Sequence, residues 1–235
     1  MNNVLRCCCL TAAVLVGLLQ TASAADITGK ITLKGTPPPE VPIPFDPSCG
    51  KLHTGPATTK FYAVGSGGEL GDVFIYVKEG AKPAPAPAEA VLLDQVGCAY
   101  TPYIFGLQTG QKLLIRNSDP GILHNVHVQP SPSSGNKESN QAQLKGQDLT
   151  KTFDKPEVLL HFKCDVHNWM HAYAGVLDHP YFSVSGADGT YKIANLPPGK
   201  YVLEAYHRKA GKLTKEVTVT DQNQAADFTF EVPAK

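Results

Sequence analysis

Cys164, His167 and Met170 stand three residues apart in the run Lys163-Cys164-Asp165-Val166-His167-Asn168-Trp169-Met170-His171-Ala172-Tyr173, a C-x-x-H-x-x-M pattern. A thiolate, an imidazole and a thioether in one short loop are donors of the soft and borderline kind that copper accepts in both of its common oxidation states. A C-x-x-H triplet alone says little, because zinc sites and chance both produce it. The methionine in register narrows the chemistry. Type 1 copper sites place a second imidazole beside the thiolate and use methionine as a weak axial donor. That imidazole must come from another part of the chain, and the run Asp119-Pro120-Gly121-Ile122-Leu123-His124-Asn125-Val126-His127 offers His124.

Strands must carry these donors. Lys112-Leu113-Leu114-Ile115-Arg116-Asn117 has strand character and leads toward His124. Val158-Leu159-Leu160-His161-Phe162 is an apolar run of strand length that delivers Cys164, and Gly175-Val176-Leu177 leaves the ligand loop. The order Tyr103-Ile104-Phe105, Gly110-Gln111-Lys112, Asn117-Ser118-Asp119, His124-Asn125, followed by Cys164, His167 and Met170, resembles the cupredoxins, most closely the plastocyanin and amicyanin group. The resemblance implies a Greek-key β-sandwich over residues 88–178 and one type 1 copper ion held by His124, Cys164, His167 and Met170. It also implies that Asn125 ties the two ligand loops together by hydrogen bonds. The short spacing from His167 to Met170 is similar to the amicyanin loop rather than the longer plastocyanin one.

The remaining histidines are read conservatively. His127 lies two residues from His124 and could share its strand face, but the resemblance favours His124. His161 falls on the face of its strand opposite Cys164, since side chains alternate. His171 is expected at the surface, and His53, His179 and His207 lie outside the constellation. Trp169 is either a surface aromatic for partner docking or a lid on the metal.

Lys plus Arg and Asp plus Glu number 21 each, so no basic field for nucleic acid is present. Arg6, the apolar run Leu10 to Leu19 and Ala22-Ser23-Ala24 form a secretory leader over residues 1–24, too short in its apolar part to span a membrane. The periplasm is the expected compartment. Cys7, Cys8 and Cys9 leave with the leader, and three cysteines remain, an odd number for an oxidising compartment. With Cys164 on copper, as the resemblance implies, Cys49 and Cys98 are left as the natural disulfide.

Ile27 to Lys34 alternates apolar and polar residues, as a half-buried strand does. Pro37 to Pro47 holds six prolines and is expected to run extended over the surface to Cys49. Val73 to Val77 is a buried sheet strand, and the Pro-Ala stretch Ala81 to Ala88 is a semi-rigid junction. Ser131 to Gln141, polar with Gly and Pro, is expected to be an exposed loop. Beyond the metal segment, Asp188-Gly189-Thr190-Tyr191 and Leu196-Pro197-Pro198-Gly199-Lys200-Tyr201 resemble the hairpin turns of carboxypeptidase regulatory-like modules of transthyretin-like topology.

The fold class is therefore all-β, a cupredoxin Greek-key sandwich combined with a transthyretin-like one. Residues 26–80 and 180–235 are expected to close one discontinuous sandwich with the copper segment inserted; an N-terminal extension of the cupredoxin is the alternative. The function expected is one-electron transport between redox partners, at least one of them a periplasmic or membrane-bound protein. A copper oxidoreductase subunit needs a second, substrate-accessible centre, for which no paired histidine cluster stands elsewhere in the sequence. A two-copper centre needs two cysteines in the ligand loop, where only Cys164 stands. A non-redox metal- or ligand-binding module is the third reading, and Met170 argues against it.

Overall fold

The structure, a computed structural model, describes residues 23–234. The expected leader lies outside the described residues apart from its last two positions. The described residues are nearly all β, with one four-residue helix among them, Pro47–Gly50.

Strands from the two ends of the chain pair with each other. Ala25–Lys34 lies antiparallel to Thr190–Leu196 and parallel to both Gln224–Ala225 and Phe228–Glu231. A facing sheet runs in the order Phe182–Val184, Phe74–Glu79, Gly199–His207, Gly211–Val219. Between these sheets lies a core that includes Ile27, Ile31, Ile75, Leu203 and Phe230.

Residues 91–177 build the other sandwich. Its larger sheet has the order Ile104–Gln108, His171–Leu177, Glu157–Lys163, His124–Gln129, Ser139–Gln143. The smaller one has the order Tyr100–Thr101, Val91–Gln95, Leu113–Asn117, Leu149–Lys151. Leu93, Leu107, Ile115, Val126, Leu160 and Phe162 fill the space between them. The polar run expected as a loop over Ser131–Gln141 instead ends in an edge strand, Ser139–Gln143, paired to His124–Gln129. Its sequence, Ser-Asn-Gln-Ala-Gln, has no apolar alternation because its side chains are mostly exposed.

The sandwiches meet on a patch of glycine. Gly106 and Gly175 stand opposite each other on neighbouring parallel strands, and the ring of Phe74 lies on the bare backbone they leave. Phe74, Tyr76, Ile104, Tyr173 and Leu177 form a separate buried cluster there. This explains why Val73 to Val77 is apolar at every position: Val73, Ile75 and Val77 enter one core while Phe74 and Tyr76 face the other sandwich.

The proline-rich arm leaves the first sandwich and crosses to the second. Asp46 caps the short helix, accepting from Ser48 N and Cys49 N at 2.7 and 3.0 Å, so the expected extended run ends in a turn of helix before Cys49. Cys49 is bonded to Cys98 and is buried in the core that also holds Met170 and Cys164. The stretch 81–87 carries no regular structure, and it is held to the second sandwich by Ala84 N on Asp178 O at 2.8 Å and by Gln108 Nε2 on Ala84 O at 3.1 Å. No helix among the described residues is long and apolar enough to cross a membrane.

Candidate metal centre

Two loops at one end of the second sandwich converge. The first, 118–123, is fixed by Asn117: its Nδ2 donates to Ile122 O and Gln143 O, and its Oδ1 accepts from Asp119 N. This brings His124 to the start of its strand with the ring inside, fully buried. The second loop closes tightly, with Cys164 N donating to Met170 O at 3.1 Å and Met170 N to His167 O at 2.9 Å. The three-residue spacing read in the sequence is thus one compact turn that puts Cys164, His167 and Met170 together, each 4% exposed or less.

The donor atoms face one point. His124 Nδ1 and His167 Nδ1 are 3.0 Å apart, and Cys164 Sγ lies 4.0 Å from the first and 3.7 Å from the second. Metal bonds of about 2.0–2.1 Å to nitrogen and about 2.3 Å to sulfur span donor pairs up to about 4.4 Å apart. All three edges fall within that reach, so the residues present fit a single first-row ion. Met170 is buried in the same core cluster as Cys164.

Carboxylates hold both rings from behind. His124 Nε2 lies 2.9 Å from Asp119 Oδ2, and His167 Nε2 lies 3.1 Å from Asp46 Oδ2. With each Nε2–H donating to an acid, the lone pairs are left on the two Nδ1 atoms, the arrangement in which outer carboxylates orient metal-bound imidazoles. Asp119 also accepts from Gly97 N and Cys98 N, at 2.6 and 2.8 Å. Neither acid was singled out from the sequence. Asp119 precedes its histidine by only five positions, but nothing in the spacing announces Asp46.

Asn125 bridges the loops: its Oδ1 accepts from Asp165 N at 2.7 Å and Val166 N at 3.2 Å, and its backbone N–H points at Cys164 Sγ at 3.5 Å. The Tyr100 hydroxyl adds a second tie, donating to Asn125 O at 2.8 Å and reaching Lys163 O at 3.3 Å.

Burial alone would raise the Cys164 thiol, but His124 and the N–H groups of Asn125, His167 and Val166 outweigh it and hold the thiol below its ordinary range. Burial would lower His124, yet Asp119 and Cys164 lift it to about 8. His167 is pushed down by burial and by the charge of His124, with Asp46 opposing. Asp119 would rise on burial, but His124 and the N–H groups of Cys98 and Gly97 keep it low.

Trp169 lies over this end of the sandwich, 5.2 Å from the His167 ring and edge-on to Phe45, with Nε1 donating to Cys98 O at 3.0 Å. His53 belongs to the same cover: it stacks on Phe45 at 4.1 Å and its Nε2 lies 2.8 Å from Gly97 O. His127 points away, between Asp165 at 2.8 Å and Glu138 at 2.6 Å. His171 is half-buried rather than a free surface residue, since it pairs with His161 at 3.0 Å.

No family model matches the chain, and no curated protein matches it. Among solved structures it is similar to the Cu-containing nitrite reductase NirK from Thermus scotoductus SA-01, at 21% identity and a TM-score of 0.34, over 43% of this chain. The chain spans 25% of that reductase's length. It is also similar to an oxidized proline-to-glycine mutant of amicyanin, at 18% identity and a TM-score of 0.33, over 43% of this chain and 97% of that one. A reduced proline-to-phenylalanine mutant of amicyanin matches over the same shares, at 17% identity and a TM-score of 0.33.

Proposed function

We propose that this protein is a periplasmic or secreted type 1 copper protein, cupredoxin-like in its metal-binding half, that carries single electrons between redox partners. The observation that carries the reading is the convergence of His124 Nδ1, His167 Nδ1 and Cys164 Sγ in one buried place, with Met170 closing the same loop. Copper bound there would supply one-electron chemistry by alternating between Cu(II) and Cu(I).

The chain's own part is to keep the donors still. Asp119 and Asp46 fix the imidazoles through Nε2, while Asn125 and Tyr100 lock the two loops to each other. A site pinned in this way has little to rearrange when its charge changes, which suits a carrier. Each of the four residues is 4% exposed or less, and a buried donor set of this kind suits a carrier better than an oxidoreductase subunit that must admit a substrate to its metal. The clusters of metal-ligating side chains among the described residues all include His124 or His167, which supports a single centre. Pairing between the strands of the two chain ends supports a regulatory-like sandwich made from 26–80 and 180–235, with 88–178 inserted. A redox protein of the same compartment or its membrane would dock to exchange the electron.

Addition of Cu(II) to the metal-free protein tests this reading. An intense visible thiolate-to-copper charge-transfer band is expected, absent in a folded Cys164→Ser variant. Copper bound without colour in the wild type would overturn the type 1 assignment.

A further inference from the structure

A groove of about 290 Å³ lies between the proline-rich arm, the metal loop and the first sandwich. Its size is close to the lower end of small-molecule sites, about 300 Å³. Val41 to Pro44 and Phe61 give it an apolar wall, Trp169 comes from the metal loop, and Arg208 enters from the first sandwich.

The charge of this groove is of one sign. Among the described residues that line it, Lys60 and Arg208 are the charged ones, and no carboxylate joins them. Neither forms an ion pair with a described acid. Two acids act on Tyr103 from nearby, Asp72 and Glu40, and both stand outside the lining. Glu40 is taken up by the arm, accepting from Thr59 Oγ1, Phe61 N and Tyr62 N. Asp72 lines an adjoining cavity that shares Lys60, so Arg208 is the cation that belongs to the groove alone.

Arg208 is held ready for an anion. It is half-buried, with its guanidinium over the Tyr173 ring at 4.8 Å and the Phe61 ring at 5.4 Å from their centroids, and its Nη1 donates to the Tyr103 hydroxyl. That bond uses one of five N–H donors, and among the described residues no other acceptor takes one. A guanidinium fixed between two rings loses little further freedom on binding, and its fork matches a carboxylate in a bidentate pair. The neutral polar groups of the lining do not oppose this. The Tyr103 hydroxyl accepts from Arg208 and keeps its own proton to donate, the Asn168 amide has both a donor and an acceptor, and His171 is engaged with His161. A zwitterion would bring an ammonium for which the lining holds no carboxylate.

We propose that this groove binds a small monocarboxylate with an apolar body, its carboxylate on the Arg208 guanidinium and its body against Ile43, Pro44 and Trp169. Binding requires no metal and does not rest on the copper reading.

Trp169 is the sole tryptophan of the sequence and lines the groove, so its emission reports occupancy. The probe is 3-phenylpropionate, titrated into metal-free protein beside 3-phenylpropanamide, which has the same body without the charge, and phenylalanine, which adds an ammonium. Excitation at the red edge of the indole band avoids the phenyl ring of all three. The acid is expected to change the emission saturably and to bind at least about tenfold tighter than the amide or phenylalanine. Trp169 also borders the adjoining cavity, and Arg208→Gln separates the two because Arg208 lines only the groove. This variant should bind the acid about tenfold more weakly and the amide as the wild type does. Unsaturable change, an amide or phenylalanine that binds as tightly as the acid, or wild-type affinity for the acid in Arg208→Gln would each overturn the proposal. The wild-type comparison of acid and amide decides whether or not the variant folds. Because no metal is added, a failure here is separate from a failure of the copper assignment.

Discussion

His124 and His167 face each other Nδ1 to Nδ1 across 3.0 Å, each ring backed at Nε2 by a carboxylate, Asp119 behind the first and Asp46 behind the second. Two lone pairs aimed at one buried point draw in a positive charge, either a proton shared as an N–H···N bond, as the rise of His124 to about 8 favours, or a metal ion. The fold therefore assembles the demand for a positive ion ahead of its arrival, using an acid from the ligand loop itself and an acid from an arm far away in sequence.

Asp119→Asn should keep the fold, since an amide oxygen can still accept from Gly97 N or Cys98 N. It loses the charge that orients His124, and removal of such an outer partner lowers metal affinity by about 10–100-fold. Competition against a chelator of known strength measures this. Unchanged affinity would show that Asp119 serves only the backbone turn at Gly97.

Met170→Leu should leave the thiolate and both imidazoles in place and so preserve the visible band. Its reduction potential should rise, because loss of a weak axial donor disfavours Cu(II) more than Cu(I). Spectroscopic redox titration gives the direction. A fall in potential, or failure to hold copper, would assign Met170 a different part.

The centre was legible in the sequence where the donors are local. Cys164, His167 and Met170 share one turn, so their spacing is their geometry. His124 could be placed because Asn125 and the strand before it give a recognisable run, and Asn125 does join the loops. Asp46 was hidden, because a carboxylate in a proline-rich arm acquires meaning only when the arm crosses to the second sandwich. His53 was set aside for the same reason, yet it stacks on Phe45 over the site. Among the strands, Val73 to Val77 announced burial on both faces, whereas Ser139–Gln143 is an edge held by backbone pairing that its side chains do not advertise.

Gly175→Ala probes the contact between the sandwiches. A Cβ at this position would overlap Phe74 Cζ, and the aromatic ring has no free space, being fully buried. Overpacking of this kind costs about 1–3 kcal/mol. Urea denaturation should show a lower midpoint for Gly175→Ala, and Phe74→Leu in the same background should recover part of the loss. A variant as stable as the wild type would mean that the two sandwiches separate without penalty.

Acid should weaken the first sandwich through His207. Burial, with the charge of Arg208, lowers this imidazole to about 4, and its Nδ1 accepts from Ala210 N at 3.0 Å. The unfolded chain takes up the proton near the ordinary value of about 6.5, while the folded chain stays neutral down to about 4, so the unfolded state binds more protons between these limits. Stability is therefore unaffected by this group above about pH 6.5 and falls as pH drops toward 4, by up to about 1.4 kcal/mol per pH unit. His161, lowered by burial and by His171, adds a loss of the same sign in the same window. His207→Asn keeps an acceptor for Ala210 N and removes the proton, so its stability should decline less steeply across that range. Parallel slopes for variant and wild type would contradict the assignment.

The Cys49–Cys98 bond closes a sequence separation of 49 residues and pins the arm against the metal-binding sandwich. In the chain-entropy treatment a loop of that length is worth about 4 kcal/mol. Replacing both cysteines by alanine should lower stability by about that amount, and the loss should not stop there. Asp46 stands three residues before Cys49 and caps the same helical turn, so freeing the turn also loosens the carboxylate that holds His167. The Cys49→Ala, Cys98→Ala double variant should accordingly bind metal about as weakly as Asp46→Asn does in the intact protein, by about 10–100-fold. Denaturation and chelator competition on the same preparations separate the two effects. If stability falls while metal affinity stays at the wild-type level, the arm is held in place by Phe45 and His53 packing beneath Trp169, and the disulfide contributes to the fold alone.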